Sequence, residues 1–379
     1  EFGIRHRGST VPERSGVALS FCRRPVSLVF AQSEQRKTPV ALKVLWYLSF
    51  ADGTYPWCPG GLYPIDFERY RTLAQTIEQG GFYGAHVATW PNDPFISASF
   101  AASYTRRIKF LISFYSRMVP AKLLAQQALT FDQLTQGRLL VNLVNGRDNI
   151  MQGYGITTSH ADRYTLGIDY WRKFAFSYAQ GSKTYFPNTP LEIHPQQKDG
   201  VQLWGTGDST AGVAHAGELV NVYMTMLREV EVVSEKFHKA QQAAQAAKRQ
   251  FSGLGALASV VVRPTDSEAL AHFYAMFETT GVEVLRDKIN ESIVRRSGGK
   301  FNFANFVAPD AKRAGWLARL RQRQLPTLEE LRLENNLYAG ITAWSTLDVF
   351  GTGSSSAYLV GSPDSIVNTL GIYQGGCRS

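Results

Sequence analysis

Recognisable nucleophile, metal and dinucleotide motifs are all missing from this chain of 379 residues. There is no Gly-x-Ser-x-Gly, no Walker sequence and no His-Glu-x-x-His, which argues against a triad hydrolase, a P-loop nucleotidase and a zinc protease. No Gly-x-Gly-x-x-Gly follows the first apolar strand, so a Rossmann reading fails as well. Cysteine is scarce: Cys22, Cys58 and Cys377 are odd in number, far apart and without CxxC or Cys/His spacing. Neither a disulfide framework nor a metal site is expected, and a reducing cytoplasm is the default compartment. No run of 18 apolar residues occurs, which removes a helical membrane span. The stretch Arg23–Ala31 imitates an export signal only faintly, because its apolar run is short and begins far from residue 1.

What the chain does have is core-forming material: 44% hydrophobic and 12% aromatic residues against 19% charged ones. That balance excludes wholesale disorder. The formal charge is +9, with 40 Lys and Arg against 31 Asp and Glu. Nucleic-acid binding would rest on that sum alone and is not expected, because the excess is local. Residues 1–40 hold seven cations against three acids, and Arg286 to Arg332 hold eleven against five.

Residues 1–40 show no helical or strand period and are read as an extension or leader outside the fold. From Val40 onward the pattern changes. Apolar runs at Ala41–Leu48, Tyr83–Thr89, Ile108–Phe114 and Arg138–Val144 alternate with helical stretches at Phe67–Ile77, Phe95–Ala102 and Ala121–Leu134. Continuous apolar strands separated by helices indicate βα units around a buried parallel sheet. Val201–Trp204, Leu219–Met224 and Leu254–Val262 continue the rhythm, with a helix over Val230–Gln250. Seven strands imply a (β/α)8 TIM-type barrel over residues 41–379, and no eighth strand follows the helix that begins near Ser362. Residues 277–340 break the rhythm as an insertion after strand 7. They are read either as a lid on the active-site face or as a solvated helical hairpin with no catalytic part.

Three segments have chemistry to offer. Trp204–Gly212 follows the fifth strand with small residues, hydroxyls at Thr206, Ser209 and Thr210, and the start of a helix. It would suit an anion such as phosphate, or form an ordinary capped helix. Asn142 lies near the C-terminal end of an apolar strand, where its amide needs either a ligand or backbone partners. Arg163 and Tyr164 open a helix; they could meet phosphate and a flat ring, or simply pair and pack. His86 and His215 read as structural.

The ordered series Gln126–Arg138, Val141–Gly146, Asp162-Arg163-Tyr164 and Gly207–Gly212 strongly resembles the bacterial luciferase-like flavin-dependent monooxygenases, and within them the alkanesulfonate monooxygenase group. The resemblance spans about residues 41–376. It implies a barrel enzyme that takes reduced FMN from a separate NAD(P)H:FMN reductase and oxygenates a small organic substrate with O2 through a C4a-peroxyflavin. An alkanesulfonate or other organosulfur compound would be the substrate, and a dimer or tetramer the assembly. Carried over by position, the cofactor-binding residues are Thr89 and Trp90 beside the isoalloxazine, Ser113, Asn142, Arg163 and Tyr164 near the ribityl-phosphate, Gly207, and Ser209 at the phosphate. No metal is implied, and the catalytic residues are not identified.

Departures from the group bear on the substrate. Leu257 and Ser259 stand where an Arg and a His are expected, Phe50 replaces a His, and Pro91 replaces a flavin-side Cys. A more apolar pocket follows, with Arg295, Arg296 or Arg332 as substitute cations. Two rivals stay open: a deazaflavin-dependent oxidoreductase, and a noncatalytic or incomplete flavin-binding barrel.

Overall fold

In the computed structural model, the described residues are 25–30, 42–54, 57–58, 60–89, 92–146, 148–158, 160–342, 346–351 and 357–376. Strand β1 is Pro25–Phe30, inside the segment read as an extension. Seven strands then run parallel in chain order: β2 (Lys43–Leu48), β3 (Gly84–Val87), β4 (Lys109–Tyr115), β5 (Leu139–Val144), β6 (Leu203–Thr206), β7 (Val222–Met226) and β8 (Gly253–Val262). The helices between them are α1 (Phe67–Gln79), α2 (Pro94–Ser103), α3 (Ala121–Thr135), α4 (Asp148–Gly153), α5 (His160–Gln180), α6 (Thr210–Leu219) and α7 (Val230–Ala246). α4 lies in the connection between β5 and α5.

The place between β8 and β2 belongs to β1, antiparallel to both, with Val26 opposite Trp46 on one side and Ala258 on the other. It gives both edges a hydrogen-bonding partner and closes the sheet. The region after β8 holds α8 (Asp266–Thr280), α9 (Val282–Ser297), α10 (Ala311–Arg321), α11 (Leu328–Leu331), β9 (Arg332–Glu334) and β10 (Leu337–Tyr338). Strand β11 (Tyr358–Gly361) follows, parallel to the far end of β8, and then α12 (Pro363–Gly376). β11 corrects the expectation of a missing eighth strand: an eighth parallel strand is present, and it precedes the last helix instead of following it. β11 is too short and too close to Ser- and Gly-rich sequence for its apolar period to be read from the chain.

Alternation along the strands separates two apolar sets. Phe110, Ile112, Phe114, Val141, Leu143 and Tyr223 face outward to the helices in the main core. Leu45, Leu111, Leu140, Trp204, Val222 and Met224 form a small separate cluster drawn from five other-phase strand faces, which is the packed lumen of the barrel. A third core holds the insertion together around Phe273, Ile289, Trp316, Leu320 and Tyr338. The insertion is therefore a packed unit rather than a solvated hairpin.

Candidate functional site

Two residues beyond the lumen cluster, the same strand phase brings polar side chains to the C-terminal end of the barrel. Tyr47 follows Leu45, Ser113 follows Leu111 and Asn142 follows Leu140, while His86 lies between outward-facing Ala85 and Val87. Register aligns Tyr47 with His86, and Ser113 with Asn142. The contacts are close. His86 Nε2 is 2.8 Å from Ser113 Oγ, and Asn142 Nδ2 donates to Ser113 Oγ at 2.9 Å. Asn142 Nδ2 also lies 3.5 Å from His86 Nε2. The Tyr47 ring meets the His86 ring edge-on at 5.5 Å.

Burial sets the charge state here. His86 is pushed down to about 4 by desolvation, so its imidazole is neutral, and burial raises the Tyr47 phenol above its ordinary value. Asn142 is 8% exposed, and its Oδ1 is covered with no hydrogen-bond partner. A native fold seldom leaves a covered amide oxygen unpaired, so this atom marks a place where a ligand donor fits. Ser259, on β8, likewise has a covered hydroxyl without a partner.

The second part of the site is built by β6 and α6. Ser209 is the N-cap of α6, its Oγ accepting from Gly212 N–H at 3.1 Å. The N–H groups of Thr210 and Ala211 belong to the first turn, where no helix carbonyl can reach them. Gly207 has a packing reason for being glycine: a Cβ there would stand 2.3 Å from the Gly212 carbonyl. Tyr223 OH donates to Gly207 O at 2.7 Å and holds the turn from behind. Tyr164 OH comes within 3.4 Å of Ser209 Oγ, so the Tyr of α5 and the Ser of α6 meet. Arg163 is buried, and its Nη1 donates to Gly146 O at 2.7 Å, tying α5 to the loop after β5. His215, on α6, packs edge-on against Tyr164 at 5.7 Å, and burial lowers it to about 4.

The structure thus joins Ser113 with Asn142, and Tyr164 with Ser209, while Gly207 packs against Gly212 in the same turn. Thr89 is half-buried just past β3 at the same end of the barrel, and Trp90 lies outside the described residues. Tyr47 was not singled out in the sequence, where its two-residue offset from Leu45 was the available signal, and His86, read there as structural, belongs to the same polar group. Of the substitute cations, Arg296 stacks on Phe350 at 4.5 Å and Arg332 donates to Asn335 O at 2.9 Å, both from exposed positions. Phe50 stacks on Tyr70 at 4.0 Å, away from the lumen.

The region between β8 and β11 reaches the same rim from two sides. Trp57, in the loop after β2, donates from Nε1 to Thr280 Oγ1 at 2.7 Å. Arg228, just past β7, pairs with Asp348 at 2.7 Å with both side chains 5% exposed. Among the described residues, no cluster of three or more His, Cys, Asp or Glu could hold a metal, and no helix is long and apolar enough to cross a membrane.

Comparison with known proteins gives a consistent picture. A family profile described as luciferase-like monooxygenase matches residues 43–376. Riboflavin lyase, solved with modified FMN and its substrate riboflavin, shares 16% identity and a TM-score of 0.59, over 83% of this chain and 78% of that one. Long-chain alkane monooxygenase shares 16% identity and a TM-score of 0.56, over 83% and 78%. A coenzyme F420-dependent tetrahydromethanopterin reductase from Methanopyrus kandleri shares 14% identity and a TM-score of 0.51, over 82% and 87%. At these identities the likeness is one of fold.

Proposed function

Since the chain belongs to the luciferase-like monooxygenase family, we propose that it is a flavin-dependent monooxygenase that receives reduced FMN from a separate NAD(P)H:FMN reductase and oxygenates a small organic substrate. The observation that carries this reading is the pairing, at one end of the barrel, of a covered unpaired acceptor on Asn142 with the α6 N-terminus capped by Ser209. The first fits a ring N–H and the second a phosphate. When bound, reduced flavin supplies the electrons that activate dioxygen.

The chain's own residues do the rest. Ser209, Tyr164 and the first turn of α6 hold the phosphate end, while Asn142 fixes the ring end. His86 and Tyr47 stay uncharged, so the ring meets polar but neutral groups. The region between β8 and β11, anchored at Thr280 and Asp348, keeps water from the mouth. Leu257 and Ser259 put no cation on the seventh barrel strand, which favours a neutral or weakly polar substrate such as a sulfone or ketone over a sulfonate. A reductase-coupled oxygen-uptake screen over sulfonates, sulfones and apolar ketones, with products identified by mass, tests this. Uptake coupled to a ketone product one oxygen heavier, or to a carbonyl fragment with sulfinate or sulfite from a sulfone or sulfonate, supports the reading, and uptake that yields only peroxide with every compound opposes it.

A deazaflavin oxidoreductase is the second reading, favoured by the fold shared with the F420-dependent reductase. Hydride transfer from reduced F420, without oxygen uptake, would establish it.

A further inference from the structure

We propose that His86, acting through Ser113, is a positioning residue that fixes the amide of Asn142 so that its Oδ1 is presented as a hydrogen-bond acceptor to an N–H of the flavin ring. The inference rests on the flavin reading above and adds the device that orients the ring-side contact.

Three polar side chains on adjacent strands, above the apolar lumen cluster, form one string. Neutral imidazole carries a single N–H. Were it on Nε2, that hydrogen would aim at Ser113 Oγ, 2.8 Å away, and crowd the Asn142 amino group at 3.5 Å. With the hydrogen on Nδ1, Nε2 accepts the Ser113 hydroxyl, and Ser113 Oγ in turn accepts from Asn142 Nδ2 at 2.9 Å. Every donor in the string then points the same way, toward His86. The consequence lies at the far end: both lone pairs of Asn142 Oδ1 are left over, covered and unpaired. With Nε2 protonated instead, Ser113 Oγ could accept from both neighbours or turn its hydrogen to the Asn142 amide and flip it, so only the Nδ1 tautomer commits the hydroxyl to His86 and leaves the Asn142 amino group as its donor. Leucine would pack in the His86 position as its neighbours do, but would leave the Ser113 hydroxyl free to turn and the amide free to flip.

The test uses the full chain and the variants His86→Leu, His86→Gln, Ser113→Ala and Asn142→Leu, each first shown to unfold cooperatively. Imidazole nitrogen shifts by NMR without any cofactor should show His86 neutral, with Nδ1 protonated and Nε2 bare. Anaerobic titration with photoreduced FMN should show His86→Leu and Ser113→Ala binding about tenfold more weakly than wild type, the scale of one buried hydrogen bond. His86→Gln, whose amide oxygen can stand near the Nε2 position, should recover most of that loss. In an Asn142→Leu background, His86→Leu should have no further effect, which a role confined to packing would not produce. A protonated Nε2, or His86→Leu binding reduced FMN as wild type does, overturns the proposal. Wild type that binds no flavin overturns the flavin reading and with it the ligand assigned to Asn142, while the nitrogen shifts still report the string's direction.

Discussion

Two imidazoles kept neutral by burial give the site its sharpest pH dependence. His86 and His215 are both pushed from the usual 6.5 down to about 4. Between those values the unfolded chain binds protons that the folded chain refuses, so stability falls as pH drops through the window. The slope reaches about 1.4 kcal/mol per pH unit for each histidine. Urea unfolding from neutral pH to about pH 4.5 should therefore show a shallower decline for His215→Phe than for wild type. Equal slopes would mean that His215 titrates normally. Ser209→Ala should cost about 1 kcal/mol through the lost N-cap, and should also narrow the preference for FMN over riboflavin, since only FMN carries the phosphate; an unchanged preference would place the phosphate elsewhere. Asn142 was legible in sequence because an amide in an apolar strand needs a partner. His86 was not, because one histidine between Ala85 and Val87 says nothing of Ser113 until strand register sets them side by side.

Elements with a strong period could be read almost to the residue. The helix expected to begin at Ala121 runs to Thr135, and the strand expected at Leu254 begins at Gly253. Continuous apolar runs and glycine stops carry that information locally. β1 and β11 are short apolar stretches in segments without a βα rhythm, and their place is set by pairing with β8. The insertion was visible as a break in rhythm, but its separate core was not, since Phe273, Ile289 and Trp316 converge only in three dimensions. Trp316, fully buried with its Nε1 bonded to Glu330 O, should lose about 3–5 kcal/mol as Trp316→Ala. The anchor between Arg228 and Asp348 should behave as a buried pair. Asp348→Ala leaves the buried Arg228 guanidinium with Glu229, at 3.2 Å, as a remaining carboxylate and should cost about 1.5–3 kcal/mol, whereas the apolar double variant Arg228→Met with Asp348→Leu should recover much of it. Denaturant midpoints decide both, and a double variant no better than the single one would show that the anchor needs its charges.

At the scale of the molecule, parallel strands β2 to β8 and β11, with β1 antiparallel between β8 and β2, set the βα loops at one rim, and the proposed cofactor residues described above lie there. The order of the matched segments along the chain announced that barrel, and the family match over residues 43–376 agrees with it. Cofactor identity is harder to read, because one fold serves FMN and F420 proteins alike and the choice rests on a few ring-edge contacts. The net charge of +9 adds little to function, since much of the excess lies in the first 40 residues and in the insertion. Anaerobic fluorescence titration of the purified chain with reduced FMN, oxidised FMN and reduced F420 addresses the central claim most directly. Saturable binding of reduced FMN, tighter than either competitor and weakened in Asn142→Leu and Ser209→Ala, is the result predicted. Tighter binding of reduced F420, or no binding of either flavin form, would contradict it.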